Sequence, residues 1–188
     1  MSTPPATQTY TVNIFVEQRL DTPLFGGSNS ISRNVNISWD TNKLMLNNAT
    51  LRGEVEKTGS GIVKADFWQY IDGVEVWHEG WVALGGKRTK TIDVTEQIFR
   101  PKIYNFKAAV ADISANTFIF SIYLDLQFTV LEEGATPTIN VETPYSSGAL
   151  QIGLGNILNI VAQMLPFIIM VAFMYLMLQL LRGFKGKD

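Results

Sequence analysis

The chain has no cysteine and a single histidine, His78. The first absence excludes disulfides, thiol catalysis and thiolate metal sites. The second excludes a histidine-based metal set or a Ser-His-Asp triad built from one copy. Charge is also scarce, at 17% of residues. Residues 1–149 carry 16 acidic and 12 basic side chains, a net of −4, and no basic face of the kind a nucleic-acid binder presents. The one local basic run is Lys87, Arg88 and Lys90, expected in a solvated hairpin loop. Helical periodicity is missing before residue 148, which leaves strands to build the fold.

The strands are legible by alternation. Tyr10, Val12, Ile14 and Val16 alternate with polar neighbours, as do Val35, Ile37 and Trp39. Phe118, Phe120, Ile122, Leu124, Leu126, Phe128 and Val130 occupy seven consecutive even positions, so one strand presents a continuous apolar face. Asp72-Gly73 marks a two-residue hairpin turn, because a type I′ turn needs positive φ at both central residues. That turn pairs Ile71 with Val74, and an uninterrupted ladder then sets Trp68 opposite Trp77 and His78 opposite Phe67. Gly85-Gly86 predicts a second hairpin tip. The sum is an antiparallel β-sandwich of jelly-roll or Ig-like topology. Asp72-Gly73-Val74-Glu75-Val76, Asp93-Val94-Thr95 and Asn105 resemble the pattern of the sugar-binding jelly-roll family. That resemblance covers only the region from Val74 to Val110 and carries no binding residues.

The organisation expected is a flexible N-terminal arm (1–9), a β-sandwich (10–131), a Pro/Ser/Gly linker (132–148), a juxtamembrane and transmembrane helix (149–181) and a basic tail (182–188). No charged side chain lies between Thr143 and Leu181. The membrane anchor is read over Ile160–Leu181, 22 residues, where about 20 suffice to span a bilayer. Its apolar body is Ile160, Met164, Leu165, Pro166, Phe167, Ile168, Ile169, Met170, Val171, Phe173, Met174, Leu176, Leu178 and Leu181, flanked by Arg182, Lys185 and Lys187. The first residues show no secretory signal, so the anchor is expected to insert after most of the chain is made. Asn156, Asn159 and Gln163 form a polar stripe suited to hydrogen bonding between helices of an oligomer.

Chemistry-bearing constellations are few. Glu54/Glu56, Glu75/Glu79 and Glu132/Glu133 are carboxylate pairs, but solvated strand faces produce such pairs routinely. Asn36 and Asn48 head glycosylation sequons that matter only outside the cytoplasm. Trp68, Trp77, Trp81 and Tyr70 concentrate in two predicted hairpins. They are read either as core or as a surface for a protein or sugar partner. No cofactor and no catalytic or metal site is expected. A β-sandwich with one terminal membrane helix resembles virion proteins of tailless, lipid-containing viruses, including those of archaea, that join capsid or spike to the membrane. That resemblance implies a non-enzymatic, single-pass, oligomeric structural protein in a virion or host-cell membrane. Its partners would be lipid and capsid or other envelope proteins. The alternatives are a cellular envelope, adhesion or S-layer anchor, a carbohydrate-binding module, and an accessory subunit of a membrane complex.

Overall fold

A computed structural model describes residues 6–23, 27–58, 64–82, 85–112 and 116–146. The chain divides into two compact units, Met1–Ala149 and Leu150–Asp188. The expected membrane helix and basic tail lie outside the described residues. Among those described, no helix is long and apolar enough to cross a membrane.

The first unit is mainly β and antiparallel. Its strands are β1 (Thr7–Asp21), β2 (Gly27–Ser38), β3 (Leu44–Thr58), β4 (Ala65–Ile71), β5 (Val74–Trp81), β6 (Gly86–Asp93), β7 (Lys102–Asp112) and β8 (Thr117–Val130). Two short strands follow, β9 (Thr138–Val141) and β10 (Tyr145–Ser146). One sheet has the order β1-β8-β3-β6 and the other β2-β7-β4-β5, with β9 and β10 on the free side of β2. Of the first eight strands, the consecutive β4 and β5 pair directly, while β1 pairs with β8 and β3 with β6 in one sheet and β2 with β7 in the other. The strands therefore nest as one long hairpin rolled up on itself, which is the jelly-roll winding and not the Ig-like one.

The two sheets face each other across a single apolar core. β8 supplies its spine: Phe118, Phe120, Ile122, Leu124, Leu126 and Phe128 are each at most 1% exposed. Its neighbours are β1 and β3, so β8 is central and its inner face meets the second sheet. Phe67 of β4 and Trp81 of β5 reach across to Phe120 and Phe118, with ring centroids 5.4 and 5.7 Å apart. Such aromatic contacts add to the burial of their large apolar surfaces.

Five expectations from the sequence are corrected. β1 carries two register shifts, between Asn13 and Phe15 and between Phe15 and Gln18. The bulge buries Ile14 and Phe15 together and turns Val16 outward, breaking the simple alternation. The Asp72-Gly73 turn forms with positive φ at both residues, and Ile71 does oppose Val74. A bulge beyond Tyr70 then slips the ladder by one residue, so Trp68 opposes His78 and Gln69 opposes Trp77. Gly85-Gly86 is a corner, not a hairpin tip, because β5 and β6 belong to different sheets. Lys87, Arg88 and Lys90 consequently stand on edge strand β6, not in a loop. Part of the expected linker returns to the fold, with β9 pairing Val35–Ser38 and β10 pairing Ile31 and Ser32.

Candidate interaction surface

The slipped register decides which aromatic residues face outward. Trp77 and Trp81 point into the core, at 1% and 2% exposure, the first of the two readings that the sequence left open for them. Trp77 packs edge-on against Phe67 at 5.2 Å, and its indole N–H donates to Glu79 Oε1 at 3.0 Å. Trp68 and Tyr70 are half-buried on the outer face of the β2-β7-β4-β5 sheet. Trp68 stacks on the His78 imidazole, with ring centroids 5.1 Å apart and planes within 10°. His78 Nε2 lies 2.8 Å from Asp66 Oδ1, and Lys64 Nζ is 3.5 Å from the other oxygen of the same carboxylate. The one histidine is thus tied to a neighbouring carboxylate and a ring on the outer surface.

Farther along the same face, Asn105 joins three strands. Its side-chain amide donates to Asn34 Oδ1 at 2.9 Å and to the Tyr145 hydroxyl at 2.8 Å. Its backbone N–H donates to Asp72 Oδ1, and Lys102 Nζ sits 2.6 Å from that carboxylate's other oxygen. Asp93-Val94-Thr95, part of the sugar-binding resemblance, serves a turn. Asp93 Oδ1 accepts from the Thr95 N–H, and the Thr95 hydroxyl accepts from the Ala49 N–H, both at 2.9 Å. The motif is therefore consumed in joining β6 to the loop before β7.

The outer face of the other sheet is a polar lattice. Arg52 pairs with Asp125, and the Thr11 hydroxyl donates to the same carboxylate at 2.6 Å. These bonds, that from Arg52 foremost, hold the Asp125 carboxyl below the usual carboxylate range. Glu54 and Glu56 do share this face, but Lys87 pairs with Glu54 at 2.5 Å. Among the described residues no group of three acidic, histidine or cysteine side chains is placed to hold a metal ion.

The third feature was not anticipated from the sequence. Between edge strand β1 and the β9–β10 strip runs a groove of about 730 Å³. Consecutive residues Thr9–Asn13 line one wall, and Ile139 and Val141 through Pro144 the other. Arg33 reaches into it from β2. No local pattern announces this groove, because it depends on where β9 folds back.

No protein-family model and no curated protein matches the sequence. Solved structures of similar shape include one of infectious bursal disease virus, Gx strain. There the TM-score is 0.39 at 11% identity, covering 86% of this chain and 48% of that one. The VP2 subviral particle of the same virus gives 0.39 at 11%, covering 87% and 50%. Empty particles of cowpea mosaic virus give 0.29 at 6%, covering 68% and 95%. The chain spans about half the length of the infectious bursal disease virus chains it resembles. At such scores the likeness assigns neither ligand nor partner.

Proposed function

We propose that the chain is a non-enzymatic structural protein of a virion. In this reading the jelly roll faces the capsid or spike, and residues 160–181 hold it in lipid. The observation that carries it is the joining of a self-contained jelly-roll unit to an uncharged, apolar 22-residue segment closed by Arg182, Lys185 and Lys187. The fold alone is shared by capsid proteins, lectins and cupins. A cupin-type metal centre needs several histidines, and this chain has one. Partners are lipid and capsid or other envelope proteins, in an oligomeric assembly without nucleic-acid contact. The protein should co-purify with virus particles, resist extraction by high salt and be released by detergent. Its absence from purified particles, with abundant protein in uninfected cells, would overturn the reading.

A carbohydrate-binding module is the second reading, supported by the outward Trp68 and Tyr70 and the Asn105 network. It has lost Trp77 and Trp81, the larger part of its aromatic platform. A glycan array probed with the full chain, giving no signal, removes it.

A further inference from the structure

The groove beside β1 combines an open strand edge with a cation that has no anion paired to it among the described residues. β1 pairs only with β8, so its other edge is unpaired among the described residues. Along Thr9–Asn13 that edge forms the groove wall over about 17 Å, at about 3.3 Å per residue. The bulge that begins at Asn13 bends the strand and closes the straight run. Ile139 and Val141 face it from the opposite wall as apolar supports for alternate side chains.

Arg33 gives this groove its chemistry. Its guanidinium lies over the Phe15 ring, 5.6 Å from the centroid. Its Nε is buried and meets no hydrogen-bond partner, and no ion pair reaches it among the described residues. Glu142, the carboxylate lining the same groove, instead accepts from Asn34 Nδ2 at 3.0 Å. Burial lowers the Arg33 pKa, since desolvation acts on it with no compensating charge. A guanidinium is most strongly satisfied by a carboxylate.

We propose that this groove binds an extended segment of a partner protein, which adds to the β1 edge and sets a carboxylate against Arg33. The inference does not depend on the virion reading, because the groove belongs wholly to the first unit. The test is selection of random heptapeptides displayed on phage against the immobilised full chain in detergent. Selected sequences should carry Asp or Glu at one fixed position. The best synthetic peptide should bind at least about tenfold more weakly to Arg33→Gln. Its own Asp→Asn or Glu→Gln form should lose the same factor, and the two changes together should lose little more. Val141→Trp, which fills the groove and leaves Arg33 in place, should abolish binding and covers the case in which Arg33→Gln does not fold. Failure to enrich any sequence, enrichment without an acid, or undiminished binding to both variants would overturn the proposal. Self-association of the chain that both variants abolish would identify a second copy as occupant and also overturn it.

Discussion

Gly53→Ala should destabilise the jelly roll through a single contact. Gly53 lies in the middle of β3, paired with Lys90 on one side and Ile122 on the other, and faces the core. A Cβ there would stand 2.2 Å from Trp77 Cζ3, 3.0 Å from Trp77 Cε3 and 2.9 Å from Ile122 Cδ1. Ordinary contact requires the indole to retreat by more than about 1 Å. It has little room, since Trp77 is 1% exposed and locked by Phe67 and Glu79. Overpacking of this kind costs about 1–3 kcal/mol. The loss of glycine's freedom in the unfolded chain returns about 0.4–1 kcal/mol. The net expectation is about 1–2 kcal/mol, or a Tm lower by about 3–6 °C for a domain of this size. Urea unfolding of the full chain in detergent, followed by near-ultraviolet circular dichroism, measures it. Trp77→Phe removes the clashing ring atoms, so Gly53→Ala should cost at least about 1 kcal/mol less in that background. Wild-type stability for Gly53→Ala, or strict additivity of the pair, would refute the packing described.

Two further outcomes test other parts of the structure. Trp77→Ala should cost about 3–5 kcal/mol, while Trp68→Ala should cost about 1 kcal/mol or less, because only the first empties core volume; equal costs would restore the unslipped hairpin register. Stability should also fall at acid pH. The Asp125 carboxyl has a folded pKa below its unfolded value, mainly through Arg52, so its contribution is complete above about pH 4 and is lost as pH falls through the folded value. Asp125→Asn should therefore lower the urea midpoint at pH 7 and flatten its decline as pH falls below about 4. A parallel decline in the variant contradicts the assignment.

The parts of this fold that sequence discloses are those with a local cause. The even-numbered face of β8 is legible because a thirteen-residue alternation has one explanation, and each of Phe118 to Phe128 at those positions is indeed buried. Asp72-Gly73 is legible because few residues tolerate two successive positive φ values. The bulges at Asn13–Gln18 and beyond Tyr70 are invisible, since an inserted residue changes no composition and flips which neighbours face inward. Trp77 illustrates the consequence: one residue of slip moves it from the face shared with Trp68 to the face shared with Phe67, which is the core. The β1–β9 groove had no signal at all. Pro137 and Pro144 mark a break in regular structure, yet the segment between them pairs with the distant β2, Val141 opposing Val35.

The two lateral sides of the sandwich differ in how their open edges are treated. On one side β6 carries Lys87, Arg88 and Lys90, with Lys87 paired to Glu54 and Lys90 3.8 Å from Glu79 on β5. A strand approaching that edge meets a run of cations, a common protection against edge-to-edge pairing. On the other side the stretch Thr9–Asn13 of β1 carries no charged side chain. Were both edges equally open, copies could add head to tail without closure and grow as a fibre. With β6 guarded and Thr9–Asn13 uncharged, β1 is the edge of this sheet more open to a further strand, and the acid of the proposed partner would meet Arg33 there. The sheet faces, by contrast, present Trp68, Tyr70 and the Arg52–Asp125 lattice outward.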